Sequence, residues 1–489
     1  PVFIISSGLI LLFVFAGVAF TETFETIIKI VNDFINLNFG WLLTLSVTIF
    51  LIFAVFLMFS KYGKIRLSQD DSGPAYSYFS WLAMLFSAGM GIGLLFYGVA
   101  EPLIHYSSPP GTMANGIDAA KTAMDYSFLH WGLHAWATYI VLGLSIAYFT
   151  YRKGYPLSFR YIFYPVMGNR IYGTFGHVVD ILAIIGTLFG VATSLGLGAM
   201  QINTGLNFLT GLEFSTTVQI ILISIITMMA MTSVVSGVNK GIKWLSILNI
   251  CGASLLLLFV IGLGPTVFII KTFIQNTGHF FQNFIELSTW NASWEGTDWQ
   301  NSWSIFYWSW WIAWSPYVGM FIARISKGRT IREFIAGVLL VPSLISFLWL
   351  TAFGSTSILF DIQGNSGILS AVEDNISTAL FEFLNQYPFA LIASGFATLI
   401  IVTFFVTSSD SGSLVVDMIA SGGDPNPPII QRVFWSILEG VVAATLLIGG
   451  GLIALQTATL TMALPFSLVM LLICYSLYKG LRAEAKAKV

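Results

Sequence analysis

Two stretches of this chain gather side chains better suited to holding a ligand than to filling a core. Between Trp303 and Tyr317 lie Trp303, Trp308, Trp310, Trp311 and Trp314, five of the fifteen tryptophans, followed by Pro316. Trp310 and Trp314 are one helical turn apart with Trp311 beside them, and Pro316 removes a helical hydrogen bond and frees a carbonyl. Upstream, Trp131, Trp136 and Tyr139 fall within an arc of about 140° on one helix. An interfacial belt would place tryptophan at helix ends, whereas these rings reach towards the middle of apolar stretches. The pattern favours an aromatic cage for a cation with no N–H to donate, a quaternary ammonium group.

Further candidates are weaker on their own. Ser87-Ala88-Gly89-Met90-Gly91-Ile92-Gly93 carries alternate glycines, each lowering helix propensity by about 1 kcal/mol relative to alanine. The segment reads either as close helix packing through small residues or as an unwound stretch whose backbone faces a ligand or ion. Thr407 and Ser408 either back-bond to their own helix or join carbonyls of the glycine segment in a small-cation site. Of the intramembrane carboxylates, Glu101, Asp180 and Asp410 read as structural because they lie near span ends, and Asp417 and Glu439 are the others. His130 and His134 stand one turn apart without an evident third metal ligand, and read as packed or hydrogen-bonded. No HExxH or G-x-S-x-G stretch and no selectivity-filter sequence occurs, which disfavours an enzyme and leaves a channel or ligand sensor as the alternative to a carrier.

These residues need membrane helices to position them. The 489 residues are 56% hydrophobic and 9% charged, with a mean hydropathy of +0.83, far from a soluble composition. A net charge of −2 gives no basic field for nucleic acid, and Cys251 and Cys474 form no disulfide or zinc pattern. At about 20 apolar residues per crossing, twelve spans are expected, near 1–20, 39–60, 78–104, 127–151, 173–203, 212–236, 240–270, 302–324, 333–353, 387–410, 430–449 and 457–478. With both termini cytoplasmic, eighteen of the 21 lysines and arginines fall inside and only Lys29, Lys121 and Lys271 outside, as the positive-inside rule requires. Phe273–Trp290 reads as an amphipathic interfacial helix. The expected organisation is therefore two N-terminal helices (1–77), a five-helix repeat (78–271), the interfacial helix and loop (272–299), an inverted five-helix repeat (300–478) and a cytoplasmic segment (479–489). Each repeat opens with a broken helix. Pro1 in place of an initiator methionine suggests a tail ahead of it. The basic Tyr478–Val489 segment reads as ordinary inner-leaflet flanking charge.

GMGIG at 89–93, HWGLHAWATY at 130–139 and FYWSWWIAWSPYVGMFIARIS at 306–326 resemble the betaine/choline/carnitine transporters over essentially the whole chain. The resemblance implies an all-α LeuT-type 5+5 inverted repeat behind two extra helices, usually trimeric through the amphipathic helix, in the plasma (inner) membrane. It implies a trimethylammonium cage of Trp131, Trp136, Tyr139, Trp310, Trp311 and Trp314, with Phe306 and Trp308 on the path to it. The substrate carboxylate would meet amides of Ala88, Gly89, Gly91, Ile92 and Gly93. Sodium would bind backbone groups of Ser87, Met90 and Phe404 and the hydroxyls of Thr407 and Ser408. A second sodium would use Thr187 and Tyr317, but Val191 stands where that pattern has a threonine. No arginine lies at membrane depth in place of the ion, which disfavours sodium-independent exchange. Gly93, where choline-transporting relatives often carry an acid, suits a zwitterion with its own carboxylate. The implied activity is sodium symport of glycine betaine by alternating access, with no cofactor. Choline, carnitine or ectoine, or proton coupling, are the alternatives.

Overall fold

The computed structural model describes residues 1–69, 72–89, 91–111, 116–235, 239–294, 298–364 and 366–487; for 86–89, 233–235, 239–243 and 487 the backbone alone is described. Helices follow one another throughout: α1 (Val2–Ala19), α2 (Thr21–Phe59), α3 (Tyr78–Gly89), α4 (Ile92–Ser107), α5 (Ile117–Trp131), α6 (Leu133–Ala147), the short α7 (Tyr164–Met167), α8 (Thr174–Thr210), α9 (Thr216–Val235), α10 (Asn239–Leu263) and α11 (Thr266–Thr289). Then come α12 (Phe306–Ile325), α13 (Ile331–Leu350), the short α14 (Thr356–Ile362), α15 (Ile368–Asp374) and α16 (Ala379–Leu384), and finally α17 (Ala390–Ala420), α18 (Ile429–Ile448) and α19 (Gly451–Ala487). Among the described residues there is no strand, only an isolated bridge between Arg66 and Thr330.

Nine segments among the described residues are long and apolar enough to cross a bilayer, and the chain is a polytopic membrane protein. The other three expected spans miss that criterion for identifiable reasons. Residues 78–104 are split between α3 and α4, each too short to cross alone. In α9 the apolar stretch over fully described residues is Thr216–Thr232. In α12 the tryptophans, tyrosines and serines that make it chemically interesting also dilute its hydropathy. Hydropathy marks the hydrocarbon depth rather than helix ends, so α2 and α19 run well past their expected spans. At about 1.5 Å per residue, the 39 residues of α2 are roughly 58 Å long, nearly twice a bilayer core.

The breaks differ from expectation in two places, Gly132 and Pro316. Gly91 interrupts the third span at φ −139°, ψ −114°, where the alternate glycines suggested a break. A second interruption, at Gly132 (φ −103°, ψ −130°), separates α5 from α6. Trp131 therefore lies on a different helix from Trp136 and Tyr139, and the single-helix arc does not apply. Conversely, α12 continues through Pro316, so that proline does not end the helix.

The helix expected over Phe273–Trp290 is also different. It begins at Thr266, directly after the Gly264-Pro265 break, rather than near residue 272. Three of its polar side chains turn inward: Asn276 donates to Ser355 at 3.1 Å, while His279 and Asn283 reach Asp125 at 2.8 and 3.1 Å. Val267, Ile270, Ile274, Phe281 and Ile285, at near-helical spacing, form an exposed apolar stripe.

At the centre, α12 packs along α6, α8 and α19, and α17 lies against α8. The apolar span within Ile117–Arg152 is buried throughout, whereas α1 and α10 expose most of theirs. Arg329 anchors α3 from the turn ahead of α13, with its guanidinium 4.3 and 4.1 Å from the rings of Tyr78 and Trp81. Thr330 and Glu333 start α13 with reciprocal capping bonds.

Candidate binding site

The central feature is a buried aromatic cluster carried by α5, α6 and α12. Trp310 and Trp311 stack at 4.9 Å with a 12° interplanar angle. Trp131 meets Trp311 edge-on at 5.0 Å and Trp310 at 6.2 Å. Tyr139 stands 6.3 Å from Trp311 and 6.4 Å from Trp314, and Trp136 joins through Tyr139 at 5.6 Å. All six residues are buried. The rings pack on one another, so a trimethylammonium group entering between them must part at least one pair.

The N–H groups divide into two sets. Those of Trp131 and Trp311 are tied, donating to Glu101 Oε2 at 2.7 Å and to the His130 carbonyl at 2.8 Å. The indole nitrogens of Trp136, Trp308, Trp310 and Trp314 and the Tyr139 hydroxyl are buried with no hydrogen-bond partner. Buried donors are ordinarily satisfied, so a cluster of unsatisfied ones is a ligand signal that sequence spacing cannot give. Trp308 is not brought to the cage rings: it faces His130 at 5.6 Å and His134 at 5.4 Å. Phe306 stacks on Trp310 at 5.4 Å and also forms part of the wall of a cavity of about 700 Å³, lined by residues including Lys29, Asp33, Asp298 and Gln456.

The broken third span feeds this cluster. Ile92 and Gly93 open α4, where the first N–H groups of a helix lack intrahelical acceptors and favour an anion. A β-carbon on Gly93 would lie 2.8 Å from Cη2 of Trp131, so only glycine lets this helix start reach the indoles. Met90 lies outside the described residues. Ser87, Ala88 and Gly89 end α3 by their backbone, and their side chains are outside the description.

Phe404, Thr407 and Ser408 of α17 are buried beside this break, with Phe404 against Gly91. The Thr407 hydroxyl donates to its own helix, 2.9 Å from the Phe404 carbonyl and 3.0 Å from that of Thr403. It accepts from Asn249 Nδ2 of α10 at 2.9 Å. In this conformer, then, two expected sodium ligands are bonded to each other. Asn249, which the sequence reading missed, keeps a buried Oδ1 without a partner; a lone asparagine in an apolar span was the available signal. The second expected ion pair is less coherent. Tyr317 lies 5.6 Å from Trp314 and the Thr187 hydroxyl is buried without a hydrogen-bond partner, so no hydrogen bond joins the two. Val191 fills the space against Gly412.

Glu101, read as structural, is a hub: its oxygens meet His130 Nδ1 at 2.6 Å, His105 Nε2 at 3.1 Å, the Trp131 N–H and the Tyr307 hydroxyl. Glu101, His105 and His130 together could hold a metal by proximity, with ligand atoms within 4.8 Å. Hydrogen bonds nevertheless account for the cluster, since Oε2 already serves Trp131 and Tyr307 and His130 Nε2 meets Ser304 at 2.9 Å. His134 is packed rather than bonded. Asp180 has the expected structural role, paired with Arg160 at 2.5 Å and with Ser158.

Comparison with known proteins matches residues 1–486 to the betaine/carnitine/choline family of transporters. An uncharacterised transporter of Mycobacterium tuberculosis is 49% identical over 496 residues, covering 99% of this chain and 83% of that protein. A glycine betaine transporter of Acinetobacter baylyi is 46% identical, covering 99% of this chain and 73% of its own length. The glycine betaine transporter OpuD of Bacillus subtilis is 45% identical, with 96% and 92% coverage.

Proposed function

Because the chain belongs to the betaine/carnitine/choline family of transporters, we propose that it imports glycine betaine by sodium symport. The observation that carries this reading is the buried aromatic cluster, with the indole N–H groups of Trp136, Trp310 and Trp314 unpartnered and a helix start held against it by Gly93. Ring faces attract the trimethylammonium head, while the α4 amides and free N–H groups suit the carboxylate. The names of the Acinetobacter and Bacillus relatives support the same substrate. A Vibrio parahaemolyticus relative, 44% identical, is named a glycine betaine/proline/choline transporter, which makes choline the second substrate to test.

The accompanying architecture is twelve spans, a LeuT-type pair of inverted five-helix repeats behind two extra helices, and alternating access in a plasma (inner) membrane with cytoplasmic termini. Sodium would take backbone oxygens from Ser87, Met90 and Phe404 and the hydroxyls of Thr407 and Ser408. This requires the Thr407 hydroxyl to turn from its own helix. A single sodium site fits better than two, given Val191 packed on Gly412. The exposed stripe on α11 suits a homotrimer contact within lipid.

The test is uptake of labelled betaine into proteoliposomes under an inward sodium gradient, an inward proton gradient, or neither. Accumulation with sodium alone is the expected result. Uptake driven only by protons would discard the ion site, and absence of uptake under every gradient would discard the substrate.

A further inference from the structure

Glu101 lies outside the aromatic cluster, yet it touches the cluster more directly than any other charged group described above. It is fully buried, as are His105 and His130. Trp131 Nε1, a donor only, places a hydrogen on Oε2 at 2.7 Å. The Tyr307 hydroxyl meets the same oxygen, while His130 and His105 meet Oε1. Four partners on two oxygens is the accepting capacity of an ionised carboxylate. If Ser304 donates to His130 Nε2, His130 is neutral with its proton on Nδ1; His105, whose Nδ1 is buried without a partner, is likewise neutral with its proton on Nε2, and the charge of Glu101 is then uncompensated.

That charge is relayed by one indole. Trp131 runs from Glu101 at its N–H edge to the space beside Gly93 at its far edge, where Cη2 lies 2.8 Å from the position of a β-carbon. Its ring also meets Trp311 and Trp310. The same unit fixes a second cage ring, because the His130 carbonyl accepts from Trp311 at 2.8 Å. An indole donating to a carboxylate carries a more negative face than one donating to nothing, and a face attracts a cation in proportion to that potential. In a dry site the carboxylate also acts on the cation directly, with little screening.

We propose that Glu101 is a positioning and specificity residue of the ammonium site: acting through Trp131, it makes the cage prefer a cationic head over an uncharged one of the same shape. This rests on the proposed betaine site. It differs from a packing role in a measurable way, because packing serves both heads equally.

The experiment uses the full chain in nanodiscs and follows tryptophan fluorescence on titration with betaine and with 3,3-dimethylbutanoate. That isostere replaces trimethylammonium by tert-butyl and keeps the carboxylate. Glu101→Gln keeps an oxygen for the Trp131 N–H and removes the charge. The expected result is about a tenfold loss of betaine affinity, with isostere affinity changed less than about twofold. Glu101→Asp, which keeps the charge, restores most of the preference. Equal losses for both ligands, or no loss for either, overturns the inference and leaves the betaine site standing. Failure of the unmodified protein to bind betaine overturns both. If Glu101→Gln does not fold, Tyr307→Phe carries the test: removing that donor leaves Oε2 less neutralised, so betaine binds at least as tightly as before. A drop in betaine preference there counts against the inference.

Discussion

Gly93 and Trp310 stand so close that a β-carbon on Gly93 would lie 2.7 Å from Cη2 of the Trp310 ring, well inside van der Waals contact. With Trp131 pressing from the other side, neither ring can yield without disturbing the cage. Gly93→Ala is therefore expected to raise the KM for betaine about tenfold or more, an overpacking penalty of 1–3 kcal/mol by order of magnitude. Gly93→Asp adds a charge that repels the substrate carboxylate and supplies a partner for choline. Parallel uptake of the two substrates reads the switch, and an unchanged betaine-to-choline ratio in Gly93→Asp would contradict this account.

Removing a ring from the cage should cost more than its packing. A desolvated cation–π contact of about 2 kcal/mol corresponds to roughly 30-fold in affinity. Trp310→Ala and Trp314→Ala are expected to abolish measurable uptake while eluting as folded protein, whereas Trp314→Phe retains part of it. Trp308→Phe, at a ring turned towards His130 and His134, should change betaine affinity less than about threefold. Equal loss at Trp308 and Trp314 would place the cage elsewhere on α12.

The ion site offers a separable effect. Thr407→Ala combined with Ser408→Ala removes both hydroxyls beside the Gly91 break, and the sodium concentration for half-maximal uptake should rise about tenfold or more. Asn249→Ala should shift it the other way, because it deletes the donor that occupies the Thr407 oxygen in the conformer sodium must displace. At saturating sodium, betaine affinity should stay within about twofold of the original. Sodium activation curves that overlay those of the unmodified protein would remove these residues from the ion path.

Two structural predictions concern assembly and stability. Ile274→Lys and Ile285→Lys place charges on the exposed stripe of α11, and a trimer measured by native mass spectrometry should dissociate. A trimer that survives both substitutions would exclude this stripe as its contact. Arg160→Ala leaves Asp180 buried beside Ser158 without its cation, a loss of about 3–5 kcal/mol. It should appear as a lowered thermal midpoint, and adding Asp180→Asn should recover part of it.

The sequence was most legible where chemistry and periodicity coincide. The tryptophans of α12 point to an aromatic cluster from residue type alone, and the glycines before α4 leave open the break that Gly91 makes. Gly132 gave no such sign, because a single glycine in an apolar run commonly remains helical; only the Phe128 carbonyl, 2.5 Å from where its β-carbon would be, shows why glycine is needed. Pro316 misled in the opposite direction, since the helix carries it without interruption. Asn249 and Glu101 were hidden for another reason. Their significance lies in partners 158 and 30 residues away, a relation no local spacing encodes. On α11, Asn276, His279 and Asn283 satisfy Ser355 and Asp125, while Gln282 and Glu286 stay exposed beside the apolar stripe.

Phe306 has one further consequence. It belongs to the wall of the 700 Å³ cavity and also stacks on Trp310, so one phenyl ring touches both cavity and cage. Phe306 is itself buried, so its ring can turn only as Trp310 and its other neighbours give way. A ligand in the cavity that displaces this ring should therefore also disturb Trp310, which couples occupancy of the cavity to the geometry of the cage.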